Sequence, residues 1–421
     1  MASRAMVFDR LDIRFTRLHV IAAAGAVLAA ALGVFIFQIV FSRNLMLPAG
    51  VHLGGDFVAF WSAARAVVEG HAGELYDPVF FEGWLQTTFP ADEPYGLYWR
   101  YPPTYFFFIL PFAFTPFAPA YAAWTGGGLI AYAAVCRAAG LSWLQLFVIL
   151  AAPVVFNAAI TGQNGFITAS LLAGATLLPD KRPAAAGLCA ALLTAKPQLG
   201  LLIPVAYAAG GCWRAFGWAA VGSVLLALAS LAVFGVEAWQ RFPEGTALIT
   251  ERLGEGVMPL FKTPTAFAAL MLAGAPAPLA LSVHGTLAFA VAATVAAVWR
   301  RVRDVELRAA ALCVGVFFIS PYVYYYELVI AALPMALLAK RAAASGWLKF
   351  EQLSFAGLFL IPLLLPGDPH RSGFHLGFAV TLLALFVVLR RASPAALFSL
   401  RTSGRIDLAA AQLSGKSDGG A

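Results

Sequence analysis

Charge is scarce in this sequence. Asp, Glu, Lys and Arg together make up 12% of its 421 residues, about half the share found in a soluble domain, while 61% of residues are hydrophobic. An ordinary water-soluble fold is thereby excluded. Cysteine is scarcer still: Cys136, Cys189, Cys212 and Cys313 stand singly in or beside apolar runs, a spacing that fits neither a disulfide framework nor a metal site. There is no P-loop, no dinucleotide fingerprint and no zinc spacing, and no Asp-x-Asp pair of the kind that holds a metal in nucleotide-sugar enzymes. No polar–apolar alternation suggests a barrel. No small-residue cleavage pattern follows the first apolar stretch, so residues 18–41 are expected to be kept as a span rather than removed as a signal peptide.

What the chain has instead is repeated apolar runs of the length a bilayer requires. Because backbone amides in lipid must be satisfied within their own segment, the expected fold is an all-α polytopic membrane bundle. Runs at 18–41, 119–137, 143–160, 163–178, 183–195, 199–209, 213–235, 278–299, 306–320, 322–338, 347–365 and 374–389 suggest about twelve crossings. Two further pieces, 103–117 and 264–273, are short and bounded by prolines, and are expected to insert only in part. The expected organisation is one transmembrane domain over 1–400, with outer loops at 42–100 and 237–263 and a polar cytoplasmic tail at 401–421.

The net charge of +7 is a topology signal and needs no nucleic acid to explain it. Arg4, Arg10, Arg14 and Arg17 precede the first run, and Lys181, Arg182, Arg214, Arg300, Arg301, Arg303, Lys340, Arg341, Arg390 and Arg391 mark alternate later loops. Short loops rich in Lys and Arg stay cytoplasmic. The opposite face then receives the 42–100 loop, acidic on balance, together with the turns TGQNG, TAKPQ, SPYVYY and PGDPHRSG. The runs either side of TAKPQ would each reach only about 16 to 20 Å, short of the roughly 30 Å of hydrocarbon. Lys196 is therefore expected below the outer surface, where a cation should line a cavity or meet an anion.

Four stretches on that face, GGDF with its following helix and LYDP, then YPPTYFFFILPFAF, TGQNGF and TAKPQLGLLIPVAY, resemble in order the polytopic glycosyltransferases of family 87. These belong to the GT-C class, and their relatives include mycobacterial phosphatidylinositol-mannoside mannosyltransferases. The resemblance implies a GT-C helical bundle, a polyprenyl-phosphate-linked sugar (a hexose such as mannose) as donor, and a lipid or glycan hydroxyl as acceptor. It also implies inversion at the anomeric carbon and transfer on the outer, non-cytoplasmic face. The membrane is expected to be a bacterial plasma membrane, with its lipids as surroundings; no cofactor or metal is expected, although the acidic neighbours of Asp56 in the loop leave a metal-binding partner open. An acidic residue of the first outer loop acts as general base in that class; the matching position here is Asp56. The late segment SPYVYYYEL departs from the family pattern, carrying tyrosines and Glu327 where relatives often have a histidine.

Each candidate residue also has a plainer reading. Asp56 follows Gly54 and Gly55 and stands where it could cap a helix over 57–68, expected to lie amphipathically along the surface. Lys196 and Arg100 are candidates for the donor phosphate; Lys196 could equally anchor a helix end by snorkelling, and Arg100 could be an interfacial anchor among belt aromatics Tyr98, Trp99 and Tyr101. Gln163, Asn164 and Gln198 could hydrogen-bond sugar hydroxyls or merely line polar turns. His52 could tune or replace Asp56 or be incidental at a loop edge, and Tyr324, Tyr325 and Glu327 could contact substrate, line the cavity or hydrogen-bond within the bundle. The competing class is a lipid-linked-glycan transporter, which would be expected to show corresponding broken helices in two internal repeats; here the breaks cluster in the first half.

Overall fold

The computed structural model describes residues 14–43, 45–48, 52–90, 94–255, 259–365 and 375–393. The 401–421 tail, the PGDPHRSG turn and the first basic residues, Arg4 and Arg10, lie outside them. The described residues form helices and turns with no strand beyond isolated bridges, the all-α bundle expected. Helices α1 (Arg17–Val40), α2 (Phe57–Val68), α3 (Pro78–Thr88), α4 (Phe117–Ala138), α5 (Trp143–Leu150), α6 (Pro153–Ile160), α7 (Gly165–Leu177), α8 (Pro183–Leu192) and α9 (Leu202–Gly210) make the first half. The second half comprises α10 (Trp213–Gly254), α11 (Ala266–Leu272), α12 (Ala277–Arg301), α13 (Val305–Ile319), α14 (Val329–Ser345), α15 (Glu351–Leu360) and α16 (Leu376–Ala392).

Four described helices are long and apolar enough to cross a membrane on their own: Arg17–Val40, Trp213–Leu248, Ala277–Arg301 and Tyr325–Ser345. A fifth appears if α5 and α6, bent by 56° at their junction, count as one span. Most of the other apolar runs make shorter helices: Pro153 breaks the 143–160 run, while Gly162, Pro183 and Pro197 stand between runs or at the start of one, where they end or restart helical backbone. Helix α7, at the centre, packs against α4, α8, α13 and α14. The large core runs from Tyr132 through α5–α9 and α12–α16. A second, aromatic core is built from α2, α3, the 99–117 segment and the start of α4.

Two expectations are corrected. Helix α2 does not lie on the surface: nine of its twelve residues are buried, because Phe57, Phe60 and Trp61 are clasped by Trp99, Tyr101, Tyr105, Phe117 and Trp124. The 237–263 stretch is not a loop over most of its length. After a positive-φ break at Gly235 (φ 83°, ψ 166°) the chain resumes as helix to Gly254, and Ala238 and Phe242 pack into the aromatic core.

The bundle has two chemically distinct ends. At one, Lys340 donates to the Gly140 carbonyl, Arg308 pairs with Asp180, Arg341 with Asp304 and Arg391 with Glu351. Helices α7, α13 and α14 run from that end to the other, where TGQNG, SPYVYY and Glu327 meet GGDF and Arg100.

Candidate active site

The GGDF and TGQNG turns are interlocked through their backbones. The Asp56 amide donates to the Thr161 carbonyl at 2.9 Å, and Trp124 Nε1 donates to the Gly162 carbonyl at 3.0 Å. A Cβ on Gly162 would sit 2.2 Å from the Gly54 oxygen and 2.6 Å from Phe57 Cβ, at a φ of +61°. Only glycine permits that approach. The interlock delivers Gln163 to Asp56: Gln163 Nε2 donates to Asp56 Oδ2 at 2.5 Å, although 107 residues separate them.

Asp56 does not cap α2. Its φ and ψ are helical and its side chain makes no capping hydrogen bond, because the first donors of the helix are taken by a tight backbone turn. The Phe57, Val58 and Ala59 amides donate to the Gly54, Gly55 and Asp56 carbonyls at 2.8, 3.2 and 3.1 Å. The carboxylate is thus freed from local duty. It is half-buried, and its Oδ1 accepts no hydrogen bond from the described residues.

Behind Gln163 a continuous polar chain runs into the protein. Tyr101 OH donates to Gln163 Oε1 at 3.4 Å, and Asn164 Nδ2 donates to the hydroxyls of Tyr105 (2.9 Å) and Tyr101 (3.4 Å). Lys196 Nζ donates to Asn164 Oδ1 at 2.9 Å and pairs with Glu327. The other Glu327 oxygen accepts from the Tyr324 amide at 3.1 Å. Lys196 and Glu327 are 4% and 1% exposed, and the ammonium also lies 5.5 Å from the Tyr326 ring centroid and 5.8 Å from that of Tyr101. The anion that a submerged lysine requires is therefore supplied from within the chain.

Arg100 is the cation left over. Its guanidinium lies over Tyr322 and Tyr324, 5.0 and 5.5 Å from their centroids, and the two hydroxyls are bonded to each other at 3.0 Å. Its Nη1 is buried with no hydrogen-bond partner among the described residues, and it forms no ion pair with them. Asp56 is near enough for the two charges to act on one another. The segment is held by Trp99 stacked on Phe106 at 5.5 Å and by Tyr76 OH donating to the Tyr101 carbonyl at 2.8 Å.

The profile of glycosyltransferase family 87 matches residues 99–321, a little over half of the 421-residue chain. The chain belongs to glycosyltransferase family 87. It is a membrane glycosyltransferase, with a sugar donor and an acceptor as substrates. No curated protein and no solved structure matches it. The matched stretch of this family 87 protein contains Arg100, Tyr101, Gln163, Asn164 and Lys196. Asp56 precedes it and Tyr324 and Glu327 follow it, yet all eight side chains converge.

The remaining candidates fare differently. His52 is buried in an aromatic nest, its ring 4.9 Å from that of Phe89 and 6.4 Å from that of Phe117, and it forms no side-chain bond to Asp56. Burial holds its pKa below the ordinary histidine value. Gln198 is half-buried and makes no hydrogen bond to the described residues. Tyr101 is not a belt residue; it is buried and joins the polar chain. Tyr105 and Tyr326 were missed by sequence reasoning. The i, i+4 spacing of Tyr101 and Tyr105 across two prolines was the available signal, and their rings stack at 4.0 Å.

Proposed function

We propose that this membrane glycosyltransferase moves a hexose such as mannose, with inversion, from a polyprenyl phosphate to a hydroxyl of a lipid or glycan, and does so on the non-cytoplasmic face. The observation that carries the reading is a pair of unsatisfied groups in one polar cluster: the free Oδ1 of Asp56 and the unpartnered Nη1 of Arg100. The acceptor oxygen attacks the anomeric carbon from the side opposite the phosphate. As that bond forms, Asp56 Oδ1 takes the hydroxyl proton, and the carbon–oxygen bond to the phosphate breaks with its electron pair leaving on the phosphate. Arg100 meets the growing negative charge with fixed donors in a site walled by aromatics, where such charge is stabilised more strongly than in water. Its planar guanidinium suits a phosphate better than an ammonium would. The basic clusters gathered at the far end of the bundle support the outward orientation.

Within this reading, Gln163 aims Asp56, and the Lys196–Glu327 pair holds Asn164 and the Tyr101–Tyr105 platform. Lys196 acts on the donor through those groups. The test is Asp56→Asn. Asparagine keeps an oxygen to accept from Gln163, so folding and donor binding should persist. Loss of a general base typically costs on the order of 10² to 10⁴ in rate. Transfer from a polyprenyl-phosphate sugar should therefore fall at least about a hundredfold, measured by product formed in reconstituted vesicles. Near-wild-type transfer by the folded variant would remove Asp56 from the mechanism.

A further inference from the structure

At the basic end, remote from this site, α9 and α12 leave between them an open cleft of about 400 Å³ lined by Ala208, Ala209, Ala296, Ala297, Arg300 and Arg301. That volume lies within the range of small-molecule sites, about 300 to 1,000 Å³. Three neighbouring arginines at this end, Arg308, Arg341 and Arg391, are committed to Asp180, Asp304 and Glu351. Arg300 and Arg301 are exposed and bonded to no described residue. Trp213, 63% exposed, begins the next helix at this end, the position of a side chain at a membrane–water boundary.

The cleft is chemically two-ended. Its mouth carries two positive charges and its floor is four methyl groups. From the floor, the same helix faces continue away from the arginines as exposed apolar surface: Val205 and Leu201 on and just before α9, and Ala293 and Phe289 on α12. A free anion would use only the mouth, and a neutral hydrocarbon only the floor. We propose that this cleft binds an anionic phospholipid, its phosphate between Arg300 and Arg301 and an acyl chain laid over the alanines toward Phe289. Basic pockets between transmembrane helices take acidic headgroups in this way. The four alanines matter because any larger side chain would fill the groove the chain occupies.

The full-length protein, delipidated in detergent, can be titrated with phosphatidylglycerol, phosphatidylcholine and inorganic phosphate, and bound lipid counted by native mass spectrometry. Phosphatidylglycerol should be retained in preference to phosphatidylcholine. Arg300→Gln with Arg301→Gln should weaken that retention on the order of 30-fold, given what each arginine near a membrane surface contributes. Ala297→Trp, which keeps both arginines, should abolish it, and Ala209→Leu fills the groove from the other wall should the tryptophan variant fail to fold. Lys181→Gln with Arg182→Gln removes the same charge elsewhere at this end and should leave retention unchanged. Equal loss in that control would reduce the effect to general surface charge. Undiminished retention in the groove-filling variants, or inorganic phosphate competing as well as the lipid, would overturn the proposal.

Discussion

Removing one partner of the Lys196–Glu327 pair discriminates between a lysine that touches the donor and one that supports the site. Both side chains are almost fully enclosed, and their other hydrogen bonds go to Asn164 Oδ1 and the Tyr324 amide. Glu327→Gln keeps an oxygen for that amide but strands the ammonium. Stranding one member of a buried ion pair costs about 3 to 5 kcal/mol. With roughly 2.1 cal/mol/K of unfolding entropy per residue over 421 residues, that corresponds to a midpoint lowered by about 3 to 6 °C. Lys196→Met should cost a similar amount. The double variant leaves no buried charge, so it should regain most of the loss in a double-mutant cycle. If Lys196 is a support, donor affinity in the double variant should recover along with stability. Recovery of stability without any recovery of donor affinity would show that the ammonium meets the phosphate itself, and the division of labour with Arg100 would be wrong.

Other variants report on the parts of the site separately. Arg100→Gln removes the unpartnered donor and should raise the donor Kd on the order of tenfold or more, the worth of a charge-assisted hydrogen bond; an unchanged Kd would refute the phosphate assignment. Gly162→Ala drives a methyl group into the Gly54 carbonyl and should abolish folded protein in size-exclusion profiles, whereas Gly33→Ala, with open space around it, should be tolerated. Burial lowers the His52 pKa, so the folded state favours neutral imidazole; its stabilising contribution is complete above about pH 6.5 and is lost as pH falls through the lower folded value. Thermal midpoints should thus decline on acidification more steeply in wild type than in His52→Phe, and parallel curves would count against that environment.

How much of this could be seen beforehand differs between the two cores. Apolar run length and composition were enough for helices and a membrane, because lipid leaves no other way to satisfy a spanning backbone. The number of crossings was less legible. A run such as 143–160 looks continuous by hydropathy, yet Pro153 bends it by 56°, and whether a proline bends or ends a helix depends on what packs beside it. Helix α2 was misplaced for a related reason. The 57–68 stretch was expected to lie along the surface, while the aromatics that bury it come from residues 99–124, too far along the chain for any periodicity to register.

The site shows the same division more sharply. Glycine pairs around Asp56 and around Gln163 each announced a tight turn, but that the two turns grip one another is a fact of tertiary structure. That grip bears on the two readings of Asp56. By position alone a lone carboxylate ahead of a helix could cap it, while the family resemblance implied a general base. Once Gln163 holds one oxygen and the Gly54–Gly55 turn satisfies the helix start, capping has no donor left to serve, and a half-buried carboxylate with a free oxygen is what remains. The reverse happened to Lys196. In sequence it was a buried cation without an anion, which is a strong reason to look for a ligand; Glu327, 131 residues later, supplies the anion and withdraws the reason. Arg100 inherits it, because its neighbours are tyrosine faces that hold a guanidinium in place while leaving a donor unspent. Charge need, followed through the fold from one cation to the next, is why the proposed phosphate contact falls to Arg100 and not to Lys196.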